Sequence, residues 1–569
     1  MTELKPNPIF RLMPSLTDIA FLMPVVFLFT RMQGVRTLLG DGDTGWHVRT
    51  GQWILAHHQV PYTDMFSFTM PGQPWFAWEW LWDVGAAAIF NRAGLGGVAL
   101  TSFFVICVTF ALLYKLIARR SQNLLVAIGL TVLAAAGSSI HWLARPHLFS
   151  MLFIVIYLSI LERVREGRRK LLWWLPGLAV LWTNIHGGFV FGIAIVGLVG
   201  AGELAGAVIA ATSEERWKAV RASIPYFTTA LGCLAASLIN PYTYHLHQHI
   251  WQYVQDPRQS AFISEFQAAN FQGPAAIFFE MMLILGFGAA IWYGARRRFA
   301  EVLLLAAWAH LSLLVVRNVP IFMIVAAPLT ATAVVDWLES LSRARIAVWI
   351  QKAAELVRAA SDEVAPIERL WRVHAIPVAI LVLFGLAMHS PAAGTALKPE
   401  YDANAYPVGA LSVLQDPALR IFTNDEWGDY LLYTRSPEGG KVFWDGRSDF
   451  YGGANVEKWL SVLGVKWDWQ QTLDQYGVDT ILLPPQAPLA TTLKGSSRWR
   501  VVYDDGIAIV FRPAVSAAGS GERTSTRNIG GGARDLRITQ PHEVSKDLVI
   551  TNTGGQIRNE AVYRSFRSR

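Results

Sequence analysis

Apolar runs of roughly helical membrane-crossing length recur along most of the chain, separated by short polar stretches. A helix that crosses a bilayer needs about 20 mostly apolar residues. By that measure spans are expected near 15–34, 95–117, 122–139, 147–163, 171–184, 187–210, 222–239, 275–294, 300–316, 319–337 and 373–390. This makes about eleven transmembrane helices. The fifth run is short and contains Pro176, which leaves both a full crossing and a re-entrant turn open. From residue 391 the pattern changes to short strand-like runs, at Arg420–Thr423, Lys441–Trp444, Asp479–Leu483, Trp499–Tyr503 and Ile507–Phe511. Helix-like segments near 403–415, 425–434, 454–463 and 468–476 alternate with them, as in a small α/β domain. The expected organisation is therefore a mostly α, polytopic transmembrane domain over 1–390, an α/β domain over 391–513 and a flexible basic tail over 514–569.

Composition agrees. Of 569 residues 53% are hydrophobic and only 16% charged, with a mean hydropathy of +0.32. A soluble protein devotes about a quarter of its residues to charge, so an ordinary soluble enzyme and a disordered chain are both excluded. Cys107 and Cys233 lie in separate apolar runs, form no CxxC pair and are expected to be small buried hydrophobes. The net charge of +7 is spread over the ends of apolar segments, which excludes a nucleic-acid partner. The N-terminus is expected to carry no cleavable signal peptide, because it lacks a short apolar core followed by small residues.

The basic residues alternate between loops. Arg119 and Arg120, the run Arg163–Lys170, Arg216, Lys218 and Arg221, Arg296–Arg298, and the 338–372 loop fall on the same side as Lys5 and Arg11. By the positive-inside rule that side is cytoplasmic, and the C-terminal domain is periplasmic or extracellular. A bacterial-type inner membrane is the expected location. The opposite loops hold Asp41-Gly-Asp43-Thr-Gly-Trp-His47, Arg145-Pro-His147, Asn184-Ile-His186, Asn240 to His249, Ser264-Glu265 and Arg317-Asn318. Asp, His, Asn and Glu among Trp and Gly thus collect at one face, which is read as the active face. The long first outer loop, 36–80, reads as a helix of mixed polarity followed by Trp-rich WFAWEWLWDV, and is expected to lie in the membrane interface.

Two carboxylates two residues apart, Asp41 and Asp43, can share a divalent cation, Mg or Mn, or supply a base. The competing role is capping of the helix that follows. His245 and His249 share a helix face and could contribute to a metal site, though no carboxylate adjoins them in sequence. Asp445-Gly-Arg447 reads as a structural turn or, alternatively, an acceptor contact.

The segment GDTGWHVRTGQWILAHHQVPYTDMFSF, followed by PGQPW, resembles the first outer loop of GT-C glycosyltransferases, most closely that of oligosaccharyltransferase catalytic subunits. The resemblance implies a GT-C-like membrane domain, a polyprenyl-phosphate-linked sugar donor within the membrane, and a protein, glycan or lipid acceptor on the outer face. It also implies a catalytic acidic residue in this loop, carried to Asp43 and secondarily to Asp41. Phe262-Ile-Ser-Glu265 matches a late outer-loop motif ending in Glu, implying a metal or acceptor role for Glu265 beside Asp41 and Asp43. The second outer loop differs, with His141, Arg145 and His147 in place of an acidic pair. The soluble domain has Glu426-Trp-Gly-Asp-Tyr430 instead of a WWDYG block, so transfer of a single sugar fits as well as or better than transfer of a whole oligosaccharide. Arg145 and Arg317 are candidate donor-phosphate ligands, because a guanidinium fork suits phosphate and is costly at a membrane unless paired. His47, Glu79, His147, Asn184 and His186 are candidate cavity or acceptor residues. The alternatives are a transporter or flippase, which would show mid-membrane charges and repeated halves, and a non-catalytic membrane scaffold.

Overall fold

The computed structural model describes residues 12–514, apart from 274–275, 345–346, 369, 371, 436–439 and the side chains of 259–260. Lys5, Arg11, Arg345, Arg369 and the expected tail from 515 onward lie outside the described residues. The first helices are α1 (Leu16–Thr30), α2 (Asp43–His57), α3 (Trp80–Ser121), α4 (Leu124–Ser138), α5 (His147–Arg165), α6 (Trp174–Thr183) and α7 (Phe189–Val208). They are followed by α8 (Ser213–Ala236), α9 (Tyr244–Gln255), α10 (Ala276–Ala295), α11 (Phe299–Leu314), α12 (Val319–Arg343), α13 (Val348–Glu368) and α14 (Ala375–Met388).

Local signals explain the boundaries. Ser15 and Asp18 form a capping box at the start of α1, and Thr212 and Glu215 do the same for α8. Asn123 accepts from the Val126 amide at 2.9 Å and opens α4. Gly94, with φ 58° and ψ −160°, breaks α3 into two helical parts, so the run read at 95–117 is its second part.

A helix forms in each of the eleven apolar segments, but among the described residues the number long and apolar enough to cross a membrane is six. These are Trp80–Ser121, Leu124–His141, His147–Arg165, Phe189–Val208, Ala276–Ala295 and Val316–Arg343. Of the others, α1, α11 and α14 are apolar but shorter, α6 has 10 residues, and α8 begins with charged turns. Ile284, Phe287 and Ile291 on α10 point their apolar groups outward at helical spacing, a stripe suited to lipid and in keeping with an integral membrane protein.

Two polar clusters lie at opposite ends of the same helices. α5 starts at His147 in one and reaches Arg165 in the other; its 19 residues span about 28 Å at 1.5 Å each, close to the thickness of a hydrocarbon core.

The C-terminal domain is α/β as expected. Its strands are β1 (Ile421–Phe422), β2 (Thr480–Leu483), β3 (Trp499–Asp504) and β4 (Ile509–Pro513), and its helices α15 (Asp425–Arg435), α16 (Ser448–Leu463), α17 (Trp469–Gln475) and α18 (Pro488–Lys494). The sheet order is β1-β2-β4-β3, with β1 parallel to β2 and the other pairs antiparallel. Val442 bridges β1 at Ile421 and, on its other side, Ser67 of the first outer loop. The Phe68 amide donates to Val442 O at 3.0 Å, and the Val442 amide to Phe66 O at 2.9 Å. The outer loop therefore extends the sheet edge and fixes the domain over the helix ends.

Much of the 36–80 loop is enclosed by protein: Trp46, Trp75 and Trp82 are buried, as is most of the N-terminal half of α2. Glycine makes this possible. A Cβ at Gly51 would come within 1.9 Å of Asp83 O on α3, and one at Gly45 within 2.7 Å of Tyr433 Cβ on α15. Missing side chains on both faces let α2 sit between the membrane helices and the C-terminal domain. Cys107 and Cys233 are free and buried, as anticipated.

Candidate active site

Arg145, in the turn before α5, is the hub. Its Nη1 lies 2.7 Å from Asp41 Oδ2 and its Nη2 2.6 Å from Asp43 Oδ2. Asp41 also receives the Asp43 amide at 2.7 Å, just ahead of the N-cap Gly42, while Asp43 occupies the first turn of α2, where the helix dipole favours an anion. Glu265 reaches Arg145 at 3.5 Å and Arg317 at 3.4 Å, and His141 Nδ1 stands 4.0 Å from Glu265. Six residues from four distant stretches of sequence thus share one cluster.

Burial pushes Asp41 up to about 7, with Arg145 opposing and Asp43 and Glu265 reinforcing. Burial alone would lower the Arg145 guanidinium, but Asp41 and Asp43 hold its proton well above the ordinary value. This arginine is a permanent cation.

A second chain runs behind the first. His47 Nδ1 lies 2.6 Å from Asp83 Oδ1, and its Nε2 is 3.6 Å from Glu79 Oε2. Glu79 Oε1 is 3.5 Å from His186 Nε2, whose Nδ1 lies 2.7 Å from Ser150 Oγ. The Gly188 amide donates to that same Nδ1 at 3.0 Å, so the neutral ring carries its proton on Nε2, facing Glu79. Burial, then the positive charge of Arg145, holds His47 well below its usual value; burial, then Arg317 and Arg145, does the same for His186. Burial raises Glu79 to about 8 despite those two arginines. Around neutral pH the chain therefore contains neutral imidazoles and a protonated Glu79.

The His147 ring lies tilted at 50° against that of His141, with centroids 4.2 Å apart, and its Nε2 meets His141 O at 2.7 Å. Its Nδ1 and the Nε2 of His47 have no hydrogen-bond partner among the described residues. Asn184 is different. Its Oδ1 accepts from Trp80 Nε1, and its Nδ2 donates to Val180 O and Ile239 O, each at 2.8 Å. With its amide spent on three backbone and side-chain contacts, it anchors loops rather than facing a substrate.

Beyond Asp83 and Ser150, two further site residues were missed in the sequence. Glu426 on α15 accepts the Gly42 amide at 2.9 Å, and Asp429 accepts the Gly446 amide at 2.9 Å. A Cβ at Gly446 would stand 2.2 Å from Asp43 Oδ1 and 2.7 Å from Asp429 Oδ2, so only glycine lets this turn approach. Burial, then the charges of Asp41 and Asp43 respectively, pushes Glu426 and Asp429 well above the carboxylate range. Their signal was the EWGDY segment, noted above but not carried to the site.

Asp445-Gly-Arg447 proves to be a structural clamp. Buried Arg447 Nη2 lies 2.7 Å from Asp445 and 2.8 Å from Asp64 of the first outer loop. Its guanidinium is enclosed by Trp75, Phe450 and Phe66.

The metal expectation fits poorly. Among the described residues no three His, Cys, Asp or Glu side chains are grouped to hold a metal ion. Asp41, Asp43 and Glu265 instead direct their oxygens to Arg145, so a cation would compete with a resident guanidinium. His249 likewise pairs with Asp449 at 3.0 Å and stacks on Phe76. No family model and no curated protein matches the chain.

Proposed function

We propose that the chain is an integral membrane glycosyltransferase of GT-C type, transferring a single sugar from a polyprenyl-phosphate donor to an acceptor on the non-cytoplasmic face. The observation that carries this reading is the convergence of Asp41, Asp43, Arg145, Glu265 and Arg317 at one end of the bundle, beneath the C-terminal domain. The charged clusters stand at helix ends, which favours a boundary reaction over passage of a solute through the bundle. In this reading about eleven segments traverse or enter the bilayer, the N-terminus is cytoplasmic, and the C-terminal domain is periplasmic or extracellular.

The chemistry divides among these residues. The acceptor's O–H or N–H attacks the anomeric carbon from the side opposite the phosphate, inverting that centre. Asp43 takes the acceptor proton, and the breaking C–O bond leaves its electron pair on the phosphate. Arg317, whose only carboxylate partner among the described residues is Glu265 at 3.4 Å, and the permanent cation Arg145 neutralise that leaving group. Burial raises Glu79 to about 8 and, with the charges of Asp41 and Asp43, pushes Glu426 and Asp429 well above the carboxylate range, so these three carboxyls add less negative charge to the pocket than free ones would. No step is routed through a metal ion.

The test is incubation of the purified protein with a panel of polyprenyl-phosphate sugars and of glycan, lipid and peptide acceptors, with mass spectrometry of the products. Asp43→Asn should reduce transfer by about 10²-fold or more while its melting temperature in detergent stays near that of the wild type. Full activity in this variant would remove Asp43 from the mechanism.

A further inference from the structure

At the opposite end of the bundle a cavity of about 430 Å³ opens between α3, α5, α7, α8, α11 and α12. Leu158, Val199 and Leu304 give it an apolar wall, and five basic and four acidic side chains also line it. Most of the acids are already engaged. Glu301 receives Arg120 at 2.9 Å, Arg165 at 2.6 Å and also Arg298, while Glu162 receives Arg120 at 2.6 Å. Glu215 closes the capping box of α8. Three guanidiniums therefore share two carboxylates, and the Nε of nearly buried Arg120 has no hydrogen-bond partner among the described residues.

Lys218 and Arg297 complete the basic lining, and neither has an ion-pair partner among the described residues. Arg297 holds a left-handed backbone, φ 58°, in the turn between α10 and α11, a conformation uncommon for a residue with a Cβ. Glu203 is the remaining acid on the wall. At the same helix ends Trp173, Trp174 and Trp217 are exposed at 85%, 68% and 63%. Tryptophan collects at the headgroup level of a bilayer, so these three set the height of the cavity mouth.

We propose that this cavity binds a phosphate-headed membrane lipid, its phosphate on Lys218 and Arg297 and the start of an acyl chain along the apolar wall. Basic pockets between membrane helices recognise lipid phosphates in this way. The inference is independent of the reaction proposed at the other end.

The experiment is native mass spectrometry of the delipidated full-length chain in detergent, titrated with dioleoyl phosphatidylglycerol or with dioleoylglycerol, which has the same chains and no phosphate. Phosphatidylglycerol should bind on the order of tenfold tighter or better. The double variant Lys218→Ala/Arg297→Ala leaves the Arg120–Glu162–Glu301 network untouched and should abolish that preference. Gly206→Trp supplies an independent check. Gly206 lines the cavity, and a Cβ there first meets Ala219 Cβ at an ordinary 3.6 Å, so a larger side chain extends into the space. Unchanged melting temperatures would establish that both variants are folded. Equal binding of the two lipids, or retained phosphatidylglycerol in both folded variants, would overturn the proposal. Displacement of the lipid by millimolar inorganic phosphate would overturn it too, by assigning the pocket to a soluble anion.

Discussion

Glu79 sits between His47 and His186 at 3.6 and 3.5 Å, and burial raises its pKa to about 8. An unfolded glutamate titrates near about 4.3, so the folded chain holds this proton more tightly than the unfolded one. The stabilisation is fully present below the unfolded value and is lost as pH rises through about 8. Glu79→Gln keeps a neutral group there at every pH. Between about pH 5 and pH 8 the wild-type melting temperature should therefore fall relative to that of the variant, as read by fluorimetry in detergent; parallel curves would refute the assigned protonation. Residue types at the site were legible because Asp, His and Arg in Trp- and Gly-rich outer loops stand out against an apolar chain. Their partners were not. Arg145 lies 104 residues from Asp41 in sequence, and Glu426 lies 384 from Gly42, so only the fold reveals either pairing. Asn184 shows the converse: its type suggested chemistry, and its three contacts make it an anchor.

At the scale of elements, hydrophobic runs located the helices well, because burial in lipid or in a bundle demands the same continuous apolar composition. Run length decided less. α6 is apolar over only 10 residues, so composition and periodicity alone could not separate a crossing from a short turn. The break at Gly94 and the enclosure of α2 were likewise hidden, since the first rests on a left-handed backbone and the second on what Gly45 and Gly51 face. Gly51 makes the enclosure testable. Adding a methyl group would press on Asp83 O, a backbone atom that cannot rotate away. Gly51→Ala should cost about 1–3 kcal/mol, visible as a lowered melting temperature. It should also impair activity, because α2 and α3 would part where His47 meets Asp83 at 2.6 Å. An unaltered melting temperature would mean that the two helices are less tightly apposed than the structure has them.

At the scale of the whole molecule the two ends of the bundle carry different chemistry, and this asymmetry supports a definite orientation. One end gathers Asp41, Asp43, Glu79, Glu265 and the histidines His47, His141, His147 and His186 beneath the α/β domain; the other gathers Arg120, Arg165, Arg298 and exposed tryptophans. Positive charge is retained on the cytoplasmic side during insertion, so the second end should face the cytoplasm. Cysteine labelling can decide this with little background, since Cys107 and Cys233 are both fully buried. Trp467, 92% exposed on the C-terminal domain, and Arg168, exposed in the turn after α5, report the two ends. In intact cells a membrane-impermeant maleimide should modify Trp467→Cys and spare Arg168→Cys until the membrane is permeabilised. The reverse pattern would put Asp43 in the cytoplasm, where a nucleotide-activated sugar would replace the lipid-linked donor as the expected substrate. Labelling of both positions from outside would show that the bundle between them does not separate two compartments, and the membrane-boundary reaction would fall with it.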